Sequence, residues 1–391
     1  MTVPHATSRA KPFASAYAKR RHRRRAERQI QSDYWLLLAV LGLLTIGLLM
    51  VYSATYTLGY LNYQDATYYV RRQAVWALLG LVLMIALWRV DYRVWQRYTV
   101  PLMGVTLLML VLILMTGRTV FGAQRWLLGN SVQPAELAKV TVVLYIAHWA
   151  SSKGERIRHV DTGLIPFSVL VGVVCGLILL QPDFSTALLI AVTAGVMFFI
   201  AGADLLQFVV TGLIAFFTIL TVATRADYRA ARIETFLDPF ARADTTGYQI
   251  VQTLVALASG GLVGQGLGSS RGNVGVLPAS HTDVILAIVG QELGLVFTLL
   301  VLGLFLFLGY RGFRIGAGAP DAFGTILAAG ITCWLLFQAL LNIAVVTNTV
   351  PFTGIPLPFI SYGGSSLVTS LVGVGLLLSI SRARRPQEGE R

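Results

Sequence analysis

The chain of 391 residues is 55% hydrophobic and only 13% charged, which excludes an ordinary water-soluble domain and implies several apolar runs of about 20 residues. Its formal net charge of +13 does not point to nucleic acid, because the basic residues gather at the two ends and in alternate short loops, as topology signals do. The two cysteines, Cys175 and Cys333, sit far apart inside apolar runs, so neither a disulfide framework nor a cysteine metal site is expected.

Residues 1–33 are polar and carry Lys19-Arg20-Arg21 and Arg23-Arg24-Arg25. They read as a basic cytoplasmic tail able to touch anionic membrane lipids, not as a cleaved signal, because the apolar run from Tyr34 is long enough to be retained. Apolar runs follow near 34–53, 73–90, 99–116, 136–150, 163–180, 184–201, 205–223, 284–309, 322–346 and 366–381, giving about ten spans. The expected fold is therefore an all-α polytopic membrane protein, with a transmembrane domain over 34–382 and a short tail at 383–391. An even span count places both termini on one side. With the N-terminus inside, the loops holding Arg89, Arg93 and Arg97, then Lys153, Arg156 and Arg158, then Arg311 and Arg314, are cytoplasmic.

The opposite side collects segments that connecting loops alone do not explain. Tyr56, Tyr60, Tyr63, Tyr68 and Tyr69 read as membrane-interface anchors. Pro134 suits a first helical turn, and Glu136 and Lys139 share one face near its outer end, either as a packing ion pair or as substrate ligands. Asp183 and Ser185 read as caps of the sixth span. The segment 224–283, between spans seven and eight, is too long for an idle connection. Its glycines Gly260, Gly261, Gly264, Gly266 and Gly268 follow no strand and no Gly-Lys-Ser/Thr, so they predict a re-entrant turn and not a nucleotide loop. The prolines and glycines of 348–366 predict non-helical backbone at membrane depth beside a groove.

Asp283 stands where the 224–283 segment meets the eighth span. Pro278 discourages helix before it, and Thr282 or Asp283 can cap the helix that follows. A carboxylate there is held ionised by the helix N-terminus, which suits a general base or a cation ligand as well as a plain cap. Glu292 falls roughly opposite on the same helix and reads as a packing group, as do Gln338, Asn342 and Asn348 on their helices. Arginines, a lysine and exposed amides on one face suit a diphosphate-linked lipid, so glycosyl transfer and lipid translocation both fit, with an inactive scaffold third.

Ordered motifs then carry a resemblance. They are Gly122-Ala123-x-Arg125-Trp126, Gln133-Pro134-x-Glu136-Leu137-Ala138-Lys139, Pro182-Asp183, Tyr228-Arg229-x-x-Arg232-Ile233, Gly247-Tyr248-Gln249, Leu277-Pro278-x-x-His281-Thr282-Asp283 and Pro356-Leu357-Pro358-Phe359-Ile360-Ser361-Tyr362-Gly363-Gly364-Ser365-Ser366. From about Tyr34 to Arg385 the chain resembles the SEDS (shape, elongation, division and sporulation) family. The resemblance implies a ten-span protein of the bacterial inner membrane that polymerises lipid II on the outer face, releasing undecaprenyl diphosphate. It implies a class B penicillin-binding transpeptidase as partner. It also makes Asp283 the essential residue, acting as base or as ligand of a divalent cation such as Mg2+ or Mn2+. The motif residues Arg125, Glu136, Lys139, Arg229, Arg232, His281, Ser361 and Ser365, together with Arg271, two positions from Asn273 and a stand-in for the lysine missing there, form the candidate substrate-binding set. The basic tail and Gly266-Leu267-Gly268-x-Ser270 point to the cell-division branch. The chain departs from the family at Ala279 and Gln291, where Glu is common, at Asn273 for Lys, at Val284 for Phe, and at Ser185 for Gly.

Overall fold

A computed structural model describes residues 32–116, 126, 132–213, 234–245, 247–270 and 281–383. Among them the chain is helical, with no strand beyond an isolated bridge residue at 132. The main helices are α1 (Tyr34–Tyr63), α2 (Tyr68–Arg89), α3 (Thr99–Thr116), α4 (Pro134–Lys153), α5 (Ile165–Leu180), α6 (Phe184–Ile200), α7 (Tyr248–Ser259), α8 (Ile285–Ala317), α9 (Ala322–Val346) and α10 (Gly364–Arg382). Seven helical stretches among the described residues are long and apolar enough to cross a membrane. Helix α6 is apolar but shorter. Helix α4 is 20 residues long, and Glu136, Lys139 and His148 lower its hydropathy. Of the expected seventh span, residues 205–213 are helical and the rest lies outside the described residues. The chain is thus a polytopic helical membrane protein.

Helices α9 and α10 form the middle of the bundle: 67% and 78% of their most apolar windows are buried, against 22% for α2. Glycines let the backbones close on one another without a polar driving force. A Cβ on Gly375 would stand 2.7 Å from the Met84 carbonyl oxygen, so α10 packs against α2 where only hydrogen fits. Helix α9 lies between α4, α6 and α8.

One end of the bundle is clamped by a buried ion pair. Arg311 donates Nε and Nη2 to the Asp33 carboxylate at 3.0 and 2.7 Å, Asp33 also caps α1 through the Leu36 amide, and its own amide donates to Ser381 Oγ. Arg311 is therefore not a loop charge, as the span ending near 309 implied, because α8 continues to Ala317. Likewise α1 runs to Tyr63, so Tyr56, Tyr60 and Tyr63 stand on a helix and not in a connection.

Helix α8 is broken at Gly294, whose φ of 80° and ψ of −179° leave the helical region. Such a break frees carbonyls and amides that must find partners at membrane depth. The turn after α7 supplies them: Gln265 N donates to Gln291 O at 2.9 Å and Gly266 N to Glu292 O at 3.0 Å, while Leu295 N and Val296 N donate back to Gly261 O and Leu262 O. Only glycine permits this interlock, since a Cβ on Gly260, Gly264 or Gly294 would overlap the backbone of the other segment. The glycine-rich turn thus packs into the helix break, and the residues 284–292 ahead of it form a fully buried half-helix.

Candidate functional site around Asp283

The half-helix begins where His281, Thr282 and Asp283 arrive at the bundle, and their three consecutive carbonyls are each held by a different donor. Tyr362 N donates to His281 O at 2.8 Å, Ser361 Oγ to Thr282 O at 2.6 Å, and Asn342 Nδ2 to Asp283 O at 2.6 Å. Two of these donors belong to the irregular strap between α9 and α10, and the third to α9 itself. The N-cap position of α8 falls on Val284, just beyond the expected Thr282 or Asp283. The Asp283 side chain is half-buried, with its Oδ2 3.3 Å from where a Cβ on Gly354 would lie; Gly354 has φ +73° and leaves that side of the carboxylate uncrowded.

The strap is fixed in turn from below. Asn342 Nδ2 also donates to Ile355 O at 2.8 Å, and Gln338, one turn earlier on α9, donates to Pro356 O at 2.9 Å. Gln73 of α2, 1% exposed, donates to Ser361 O at 3.1 Å and accepts from Gly363 N at 3.2 Å. Ser185 does not cap α6; its hydroxyl donates to Thr353 O at 2.6 Å, whereas Asp183 does cap, accepting from the Thr186 amide. The serine that replaces the family's usual glycine therefore adds a tie to the strap. Phe359 is buried at φ 65°, and its carbonyl packs where α1 offers Gly47. A non-glycine residue in the left-handed region costs of order 1–3 kcal/mol, held here by the surrounding bonds.

Glu136 and Lys139 form an ion pair of 2.7 Å, each about 3% exposed, on the first turns of α4, which Pro134 opens as expected. Lys139 also donates to Gln338 Oε1 at 2.8 Å and stands 5.4 Å above the Trp334 ring, and Thr369 donates to Glu136 at 3.1 Å. Both side chains are enclosed, so the geometry makes them a bracket under the strap and not a surface open to a ligand. Ser361 is likewise buried, and its hydroxyl accepts from Leu357 N as it donates to Thr282 O. Ser365 Oγ accepts from Gln133 N at 3.2 Å, joining α10 to the start of α4. Arg125, Arg229, Arg232 and Arg271 lie outside the described residues, as do Asn273 and Ala279.

The expected interface tyrosines do something more specific. Tyr63 stacks on Tyr68 at 3.7 Å, Tyr69 meets Tyr63, and His281 lies 5.5 Å from both Tyr69 and Tyr362. Burial among these rings pushes the His281 pKa down from 6.5 to about 4, so the imidazole is neutral at physiological pH. Because the folded pKa lies below the unfolded one, the unfolded chain binds more protons between those values, and stability present above pH 6.5 is lost as pH falls toward 4. The full effect is at most about 3 kcal/mol. His281→Phe, which keeps an aromatic ring, is expected to flatten the acid limb of a melting-temperature profile relative to the parent; an unchanged acid limb would count against a buried neutral histidine.

Among the described residues no cluster of three or more His, Cys, Asp or Glu surrounds Asp283. A hard divalent cation keeps several waters and uses one or two protein carboxylates beside phosphate oxygens, and the half-buried Asp283 carboxylate fits the part of one such ligand.

Comparison with known proteins agrees with this architecture. The FtsW/RodA/SpoVE family, described as "Cell cycle protein", matches residues 34–386. A relative named "Probable peptidoglycan glycosyltransferase FtsW" from Trichlorobacter lovleyi is 40% identical over 362 residues, covering 92% of this chain and 95% of the relative. "Stage V sporulation protein E" of Bacillus subtilis is 39% identical, covering 90% and 98%. Among solved structures, a chain from a work titled "Structural coordination of polymerization and crosslinking by a peptidoglycan synthase complex" superposes with a TM-score of 0.74 at 29% identity, over 92% of this chain and 100% of that one. The rod shape determining protein RodA of Thermus thermophilus superposes with a TM-score of 0.67 at 26% identity, over 92% and 99%.

Proposed function

The chain belongs to the FtsW/RodA/SpoVE family, and from that premise and the geometry at Asp283 we propose that it is a peptidoglycan glycosyltransferase polymerising lipid II. The observation that carries the reading is a half-buried carboxylate whose own main chain is fixed by Asn342, Ser361 and Tyr362 at the mouth of a buried half-helix. Asp283 accepts the proton of the acceptor sugar hydroxyl as that oxygen bonds to the donor's anomeric carbon. The bond from this carbon to the diphosphate oxygen breaks, and undecaprenyl diphosphate leaves with the electron pair. Positioning and proton removal are the protein's share of such a reaction, because the diphosphate is already a good leaving group once its charge is met. A divalent cation such as Mg2+ or Mn2+ would take Asp283 as its protein ligand and supply that charge.

In this reading the Asp283 end faces outward from the inner membrane, both termini are cytoplasmic, and the spans number ten. The partner is a class B penicillin-binding transpeptidase that crosslinks the strands. Lipid translocation would need a polar path to the far end. Among the described residues, α9 and α10 bury Leu327, Ile331, Cys333, Val374 and Leu377 between the Glu136–Lys139 contacts at Gln338 and Thr369 and the Asp33 contact at Ser381, with no buried Asp, Glu, Lys or Arg on either helix there. That packing favours transfer at one face over carriage through the bundle.

The test is to reconstitute the purified protein with lipid II and Mg2+ or Mn2+, with and without its transpeptidase, and to look for glycan ladders. Ladders are the expected result. Translocation of labelled lipid II in vesicles without ladders would replace the reading with a carrier, and transpeptidase binding without either would replace it with a scaffold.

A further inference from the structure

The half-helix that carries Asp283 is clamped at its mouth by the strap, and its other end holds a buried carboxylate that the proposed chemistry does not use. Glu292 is 1% exposed, and among the described residues no lysine or arginine pairs with it. Among the described residues, three hydrogen-bonding groups surround it. Ser53 Oγ of α1 donates to both carboxylate oxygens at 2.8 and 2.7 Å, Ser270 N donates at 3.3 Å, and Ser270 Oγ donates through a short bond. Ser270 N can only donate, so Oε1 accepts there, and the two serine hydroxyls complete the hydrogen bonds around the carboxyl group.

The position of this carboxylate gives it leverage. It lies two residues before the Gly294 break, and the carbonyl of Glu292 itself accepts from Gly266 N at 3.0 Å. One residue therefore grips α1 and the end of the glycine-rich turn through its side chain, and the same turn again through its main chain. We propose that Glu292 is a positioning residue for the reaction: it fixes the inner end of the half-helix against α1 and Ser270, and so sets the axial placement of Asp283 at the outer end. The half-helix spans only about two turns and is buried along its whole length. A short rigid body held at both ends transmits a shift at one end directly to the other. A displacement of about 1 Å at a reacting group is enough to cost on the order of 100-fold in rate.

The inference rests on the glycosyltransferase reading, and its test separates the two. Polymerisation kinetics are measured for the full-length parent, Glu292→Gln, Glu292→Ala, Ser270→Ala and the double variant Glu292→Ala/Ser270→Ala. Amide exchange over 260–270 is followed in parallel. The expected result is a loss of about tenfold or more in kcat for Glu292→Ala with KM for lipid II changed less than about threefold, since placement of the base and not substrate binding is disturbed. Glu292→Gln keeps an acceptor of the same shape and is expected to rescue most of the rate. Ser270→Ala in the Glu292→Ala background should add little, because the contact is already gone. Faster exchange at 260–270 should accompany the rate loss. If the parent makes no glycan, the functional reading fails, and the exchange data alone judge the anchor. A folded Glu292→Ala with parental kcat and parental exchange overturns the proposal. If Glu292→Ala does not fold, a folded Glu292→Gln/Ser270→Ala variant with parental kcat overturns it equally.

Discussion

Asp283→Asn is expected to slow glycan polymerisation by a factor of about 100 to 10,000, the range that a positioned general base contributes. The amide keeps the volume of the carboxylate beside Gly354 and leaves the main-chain clamps from Tyr362, Ser361 and Asn342 in place, so the folded state should survive. What the variant loses is the ability to take a proton from the acceptor hydroxyl or to bind a cation with full charge. These two roles separate on titration. If Asp283 works as a cation ligand, raising Mg2+ or Mn2+ should recover part of the rate of the asparagine variant, whereas a lost base is not restored by metal. Ladder length and initial rate on a gel, with a melting curve in detergent as the control for folding, measure both. Ladders of parental intensity from a folded Asp283→Asn protein would remove Asp283 from the chemistry altogether.

The features that sequence made legible are local ones. Pro134 at the start of α4, the i, i+3 pairing of Glu136 with Lys139, and the capping of α6 by Asp183 are each fixed within one helical turn, so spacing alone reveals them. The strap was legible because prolines and glycines in an apolar run leave no helical alternative. What escaped were partners set by tertiary contact. Arg311 and Asp33 are 278 positions apart, and Gln73 reaches Ser361 across 288, so no window along the chain connects them. Gln73 did leave a signal, an amide inside an apolar span, which is costly unless it is bonded. The break in α8 has no proline, and Gly294 resembles the other glycines of the span until its interlock with Gly264 is seen. The role of Glu292 was partly legible: sequence separated it from Asp283 by helical phase, but only the fold shows Ser53 and Ser270 gathered on it. Of the tyrosines read as membrane anchors, Tyr69 also meets His281, and Tyr63, which stands on α1 because that helix runs on, meets Tyr68 and Tyr69.

The Glu136–Lys139 pair carries the largest expected effect on stability. Lys139→Met keeps most of the stem over Trp334 but leaves Glu136 enclosed with the Thr369 hydroxyl and no cation. Removing one partner of a buried ion pair costs about 3–5 kcal/mol, because the remaining charge stays desolvated and uncompensated. Glu136→Gln should cost a comparable amount for the same reason, with Lys139 left to Gln338 Oε1. The double variant Glu136→Gln/Lys139→Met buries no charge, and is expected to recover a substantial part of the loss instead of summing the two singles. Denaturant or thermal unfolding in detergent gives the four corners of this cycle. Singles that each cost under about 1 kcal/mol, or a double that equals their sum, would show that the pair is not the desolvated unit the geometry describes. The activity readout adds a second discrimination. Lys139 holds Gln338, Gln338 holds Pro356, and the strap holds the carbonyls before Asp283, so even the stable double variant should polymerise more slowly than the parent. A double variant that regains stability and full rate together would mean that the bracket supports the bundle without aligning the strap.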